Sequence, residues 1–339
     1  MPTLTRSMPA VLAVMMGIFS IVTTEILPIG LLTPIGVTFG ISPGTAGLMM
    51  TMPGLLAAVA APAVTVATGR LDRRVMLCAL LLVLAAADFL AAIAPAYWAM
   101  TVSRVLVGLV IGAFWSIGSG LASRLVSPDR VGTATAVIFS AVPLGSVLGV
   151  PAGTLLGDLV GWRVAFAVMG VLSLAVFAAL MLVLPPLPAE HVTSLTVLRD
   201  LLQEPRVRRG LIVTFLIVLA HFGTYTYVTP FLRQVTGVSP ALITVFLLVY
   251  GIAGIAGNFI AGGLRLRVAF TGSACLLAAT TLLLPVLGGL DLVALLLLVT
   301  WGLAYGAVPV CSQTWFAKAA PQAPEAATVL FTSSFQARS

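Results

Sequence analysis

Charge is what this sequence lacks most: 8% of its 339 residues are Asp, Glu, Lys or Arg, against roughly 25% in a typical soluble domain. Hydrophobic residues make up 60%, more than a compact soluble body can hide, since much of any such chain stays at the surface. A water-soluble enzyme or regulator is excluded. Cysteine is scarce as well. Cys78, Cys275 and Cys311 all lie inside apolar runs, at spacings that fit neither a disulfide framework nor a metal site. Absent too are the Gly-x-x-x-x-Gly-Lys phosphate loop, the His-Glu-x-x-His metal pattern and a Ser/His/Asp order. The chain is therefore read as a non-enzyme with no cofactor, no metal and no ATP coupling of its own.

What is present is a succession of long apolar runs. They fall at 9–34, 44–67, 75–94, 97–123, 131–157, 164–185, 210–232, 241–263, 268–288 and 292–316. Each can cross a bilayer as a helix of about 20 residues. An eleventh run from Glu325 stops at Ser339, too short to cross. Alternating barrel strands are absent, and lipid tolerates only closed backbone hydrogen bonding, so the spans are helices. The first run is longer than the 7–15 residues typical of a signal-peptide core. A net charge of +7 would suit nucleic acid only on a solvated face. Here the basic residues sit between spans. With the N-terminus inside, the inner loops carry Arg6, Arg70, Arg73, Arg74, Arg124, Arg130, Arg199, Arg206, Arg208, Arg209, Arg265, Arg267 and Lys318, and the outer loops Arg163 and Arg233. The positive-inside rule then predicts a cytoplasmic N-terminus in a plasma (inner) membrane protein.

The polar stretch 186–209 reads as a cytoplasmic linker, dividing a six-span unit at 1–185 from a second unit at 210–339. The units look related. Gly40-Ile41-Ser42-Pro43 recurs 197 residues on as Gly237-Val238-Ser239-Pro240, each Ser placed to cap a helix that Pro begins. Gly69-x-Leu71 with Arg74-Val75 recurs as Gly262-x-Leu264 with Arg267-Val268, and Gly108-x-x-x-Gly112 as Gly302-x-x-x-Gly306. Ordered matches at one offset predict two parallel six-helix repeats, a transporter architecture. A full second copy would run about forty residues further, so the second bundle is expected to be incomplete, truncated in span 11.

Four marks carry a family resemblance: Thr23-Thr24-Glu25 with Gly30-Leu31-Leu32 in span 1, Gly69-Arg70-Leu71-Asp72-Arg73-Arg74 after span 2, Arg104-x-x-x-Gly108 in span 4, and Gly145-x-x-x-Gly149-x-Pro151-x-Gly153-x-x-x-Gly157 in span 5. With them the chain resembles the major facilitator superfamily, in its drug:proton antiporter branch, and is similar to chloramphenicol-resistance and arabinose-efflux-permease-like transporters. The resemblance implies an all-α polytopic fold of two six-helix bundles. It makes the 69–74 loop a latch against the start of span 11, and the span 5 glycines, with Pro151, an antiporter motif that seals a central cavity. The second-half loop, Gly263-Leu264-Arg265-Leu266-Arg267, lacks an acidic residue to match Asp72.

Ionisable residues at membrane depth are costly and mark function by default. Glu25, Arg104 and Asp88 each lie about 10 Å inside the outer ends of their spans at 1.5 Å per residue. Glu25 is expected to exchange protons and Arg104 to bias it; a structural ion pair is the alternative. His221, with Tyr225 and Tyr227 beyond it, is a candidate to bind substrate or carry a proton, or to pack. Asn258 reads as interhelical glue. Phe114, Trp115, Tyr225, Trp301 and Tyr305 are candidate cavity-lining residues for a moderately apolar substrate. The expectation is proton-coupled efflux of small organic molecules, amphenicol-type drugs among them. Sugar or nucleoside efflux, and a transport-dead remnant, stay open beside it. The expected partners are substrate, protons and the lipid bilayer, not nucleic acid.

Overall fold

The computed structural model describes residues 8–118, 120–189, 195–225 and 227–336, all of whose regular structure is helical. Arg6 and residues 190–194 of the linker lie outside the described residues. The α-helices are α1 (Met8–Ile26), α2 (Leu32–Phe39), α3 (Pro43–Ala67), α4 (Arg73–Ala92), α5 (Tyr97–Gly118), α6 (Ala122–Leu125), α7 (Val131–Phe139), α8 (Ala141–Val160), α9 (Trp162–Val183), α10 (Leu195–Gln203), α11 (Pro205–Tyr225), α12 (Val228–Phe231), α13 (Pro240–Gly263), α14 (Leu266–Leu287), α15 (Asp291–Ala319) and α16 (Pro324–Gln336). Among the described residues, 9 helical stretches are long and apolar enough to cross a membrane.

The span expected at 131–157 is divided into α7 and α8 at Ser140. Pro143 explains the joint. It has no N–H to offer the carbonyl of Phe139, four residues back, where α7 ends. The expected span 9–34 is likewise broken: α1 stops at Ile26 and a tight 3₁₀ turn, Leu27–Leu31, with Pro28 in it, leads into α2. Span 7 begins earlier than expected, at Pro205, and α11 ends at Tyr225.

The internal repeat is visible as matching chemistry. Ser42 and Ser239 have nearly the same backbone angles (φ −67°, ψ 154° and φ −66°, ψ 154°) and accept from the N–H groups of Thr45 and Leu242. Just before them, Gly40 and Gly237 take φ of 63° and 79°, a left-handed turn that L side chains adopt only with strain. Gly108 and Gly112 of α5 lie on the backbone of α3, where a Cβ at Gly108 would stand 2.7 Å from the Pro53 carbonyl oxygen. Gly302 and Gly306 of α15 lie on α13 in the same way, beside Tyr250 and Gly254. Small residues bring paired helices close because lipid supplies no hydrophobic force to do so.

One core gathers Ile18, Leu81, Val110, Phe114 and Phe139 from α1, α4, α5 and α7. A second gathers Ile217, Phe246, Leu277, Leu298 and Trp301 from α11, α13, α14 and α15. The first core also takes in Val310 and Phe316 of α15 and Ala327 and Phe331 of α16. So α16, which sequence assigns to the second bundle, packs on α3 and α5 as well as on α15. Gln313 donates to Thr328 (2.9 Å). Beside these contacts Asn258 of α13 donates to the Ala136 carbonyl of α7, and the main chains of Gly132 and Gly262 meet. All lie at the end that carries the arginine-rich loops, here termed the basic end. Among the described residues no extensive packing joins α1 or α2 to α11 or α12 at the opposite end. Among the described residues the contacts between the bundles gather toward the basic end.

Candidate functional site

Pro28 prepares the site in the first bundle. Its missing N–H leaves the carbonyl of Thr24, four residues back, without a helical donor. Arg104 of α5 takes that acceptor, its guanidinium donating to Thr24 O at 3.0 Å and to Ser103 Oγ at 3.1 Å. The Thr24 hydroxyl in turn donates to Asp88 Oδ2 of α4 at 3.2 Å. Arg104, Asp88, Thr24 and Ser103 are all fully enclosed. The guanidinium also lies 5.2 Å from the centre of the Phe166 ring, a cation–π contact from α9. Asp88 and Glu25 both stand near enough to act on the charge of Arg104. Glu25 is half-buried.

The structure thus brings Arg104 and Asp88 together through Thr24 and sets Glu25 beside them, one residue along the same helix. Sequence reasoning assigned no role to Thr24 or Ser103. The available signal was Pro28, whose position four residues on marks Thr24 as the carbonyl left open.

A second cluster lies in the other bundle. Trp301 Nε1 donates to His221 Nδ1 at 3.0 Å, so in the neutral ring the imidazole proton sits on Nε2. Tyr305 stacks on His221 with ring centroids 3.3 Å apart and planes 8° from parallel, and Tyr225 stacks at 5.3 Å. Tyr250 lies 5.0 Å from Tyr225. Tyr225, Tyr250 and Tyr305 are partly exposed, whereas His221 and Trp301 are buried. Tyr250 was missed because nothing in its neighbourhood in sequence distinguishes it from packing aromatics.

Two expected lining residues present no open surface in this conformation. Phe114 is fully enclosed between Gly17 and Gly118, where a Cβ would stand 2.6 Å and 2.9 Å from its ring. Trp301 is fully enclosed too, its ring occupied with His221 and the tyrosines. Trp115 is partly exposed and packs on Phe139.

In the loop after α3, Asp72 caps α4, its Oδ1 accepting from the N–H groups of Arg74 (2.8 Å) and Val75 (3.4 Å). Arg73 folds back, wholly buried, to donate to the carbonyls of Thr68, Gly69 and Leu71 at the end of α3. Arg74 donates to the Met181 carbonyl and the Arg73 N–H to that of Leu187. These cross-contacts run to the end of α9; the latch is expected at the start of span 11. There, Val66 of α3 packs near Ala326 and Val329.

The glycine ladder of α8 packs on span 1. A Cβ at Gly145 would stand 2.8 Å from Val22 and one at Gly149 3.1 Å from Ile26, while Gly157 abuts Leu31. The surroundings of Pro151 and Gly153 lie outside what is described; both are in the helix.

The sequence pattern of the Major Facilitator Superfamily matches residues 12–337. The chain is similar to the "Transcription regulatory protein OpdE" of Pseudomonas aeruginosa, 33% identical over 342 residues, covering 99% of this chain and 85% of that protein. It is 32% identical to the "Purine ribonucleoside efflux pump NepI" of Salmonella paratyphi A over 324 residues, covering 94% and 82%. The pump of that name from Shigella sonnei is 33% identical over 326 residues, with 94% and 82% covered. In three dimensions the chain is similar to the crystal structure of the human organic anion transporter MFSD10 (TETRAN), with a TM-score of 0.78 over 100% of this chain and 92% of that one. At 17% identity this likeness speaks for the fold alone.

Proposed function

Because the chain belongs to the major facilitator superfamily, we propose that it is a proton-driven exporter of small organic molecules working by alternating access. The observation that carries the coupling is the enclosed Arg104, with Glu25 and Asp88 acting on its charge. A buried guanidinium needs a counter-anion, and a carboxyl that loses or gains its proton beside it changes the charge balance of the whole site. Glu25, half-buried and away from the basic end, takes the exchanging role. The excess of arginine at the basic end supports a cytoplasmic side for it, in a protein taken to lie in the plasma membrane. The conformation is then the outward-open one. In this reading the α8 glycine ladder, seated on span 1, keeps protons from leaking past the site.

Purine ribonucleosides are the first substrates to test. The pumps named NepI support the choice, and so does the partly exposed tyrosine group around His221, since flat rings stack on aromatic faces. Amphenicols are the second. The name of the OpdE relative favours a regulatory role instead. Everted membrane vesicles holding the full chain decide among these. With an imposed proton gradient, tritiated adenosine and, separately, chloramphenicol should accumulate in a gradient-dependent way, and Glu25→Gln should abolish this at equal membrane expression. Adenosine and chloramphenicol both remaining outside wild-type vesicles would leave the regulatory reading standing.

A further inference from the structure

Asp88 is the buried ionisable group that the coupling scheme leaves without a task. It lies in the apolar core of α4, fully enclosed, between Ala87 and Phe89. Its Oδ2 accepts from Thr24, while its Oδ1 makes no full hydrogen bond and has the enclosed Ser173 hydroxyl of α9 as its polar neighbour. Arg104 Nε is likewise enclosed and makes no hydrogen bond. An isolated structural ion pair would spend its donors and acceptors on one another, because unsatisfied buried polar atoms are costly. Here each partner keeps one atom in reserve.

We infer that Asp88 is a second proton-binding carboxyl of the coupling site, sharing one proton with Glu25 across Arg104. The inference rests on the proton-coupled reading above. Arg104 stays charged throughout, so it requires one anion. With both carboxylates ionised the enclosed site carries an excess negative charge, and with both protonated an excess positive one. Burial penalises each, so the stable occupancy is one proton for two carboxyls.

Thr24 determines which carboxyl holds it. Its carbonyl receives Arg104, its hydroxyl serves Asp88, and Glu25 is the next residue. A shift of span 1 during alternating access therefore moves all three relations at once. The proton enters from water onto a carboxylate oxygen, passes between the two carboxyls and leaves to water from Glu25. No bond other than O–H is made or broken.

The groups facing Asp88 are few. Of the helices packed on α4, α5 presents Arg104, α9 presents Ser173, and α1 presents Thr24, whose neighbour Glu25 acts on Arg104. The nearest further charge on α9, Arg163, donates to the Ala94 carbonyl (3.0 Å) at the end of the span.

The test uses the full chain in proteoliposomes with tritiated adenosine, or with chloramphenicol if that is the compound moved. Two rates are read: accumulation driven by a proton gradient, and exchange of labelled for unlabelled substrate without one. Asp88→Asn should cut accumulation at least about tenfold and flatten its pH profile, while exchange falls by a much smaller factor. Asp88→Glu should restore gradient-driven accumulation. Thr24→Val, which removes the hydroxyl and keeps the carbonyl, should displace the pH midpoint and serves if Asp88→Asn fails to insert. Unchanged accumulation and pH profile in Asp88→Asn and Thr24→Val would overturn the inference. So would equal loss of both rates with no rescue by Asp88→Glu, which marks a structural aspartate. Wild-type exchange without any gradient-driven accumulation would instead remove the coupled reading, and the inference with it.

Discussion

Pro28 and Arg104 meet at one carbonyl: the N–H that Pro28 lacks is the donor Thr24 would have received, and Arg104 donates there instead at 3.0 Å. A local defect in span 1 thereby becomes an anchor for the charge in span 4. Pro28→Ala restores the competing N–H. Its expected effect is a roughly tenfold fall in gradient-driven transport, equivalent to about 1.4 kcal/mol and within the range for one charged hydrogen bond. Transport by Pro28→Ala at the wild-type rate would show that Arg104 does not depend on the vacated acceptor.

The close seating of α5 on α3 makes Gly108 intolerant of a methyl group. A Cβ there would meet the Pro53 carbonyl oxygen at 2.7 Å, and backbone cannot swing aside. Gly108→Ala should destabilise the protein by about 1–3 kcal/mol through overpacking. Gly272→Ala in α14 is the control, since a Cβ there meets nothing within 4 Å. Thermal unfolding in detergent compares the two, and a midpoint for Gly108→Ala as high as that of the control would count against the packing account.

Leu71 reports on orientation. It is 50% exposed in the loop between α3 and α4, so a cysteine placed there is open to reagents. With Cys78, Cys275 and Cys311 replaced by serine, Leu71→Cys should resist a membrane-impermeant maleimide in intact cells and react in everted vesicles. Labelling in intact cells would invert the proposed topology.

The seam at the basic end offers another handle. A Cβ at Gly262 would stand 3.0 Å from the Gly132 carbonyl oxygen, and a valine would extend further. Gly262→Val should hold the seam apart and stop the cycle. In the same cysteine-free background, a cysteine at Ala136, 1% exposed here, should then become reactive from the basic side. Continued protection of that cysteine would show that the seam tolerates the larger residue.

The helical class and the internal repeat were legible because they depend on local rules. Hydropathy delimits spans, and the Ser-Pro starts at 42–43 and 239–240 cap helices wherever they occur. Proline effects were less legible. The sequence reading bends one span at Pro143 and carries another through Pro28, and the structure interrupts both. The charge site was half legible. Glu25 and Arg104 stand out as ions at membrane depth, but the link to Asp88 runs through a threonine hydroxyl on a third helix, fixed by how helices pack rather than by spacing. The aromatic cluster shows the same limit, since Tyr250 joins Tyr225 and Trp301 only once α13 is docked on α15.

At the basic end Gly132 meets Gly262 main chain to main chain, and the Asn258 side chain donates to the Ala136 carbonyl, so backbone supplies the acceptor there. A joint of that kind asks little of its neighbours beyond small size. The tyrosines around His221, by contrast, act through their side chains, on other stretches of the fold. Cargo preference can therefore diverge among descendants of this chain by exchange of a few rings, while the hinge they inherit goes on closing unaltered.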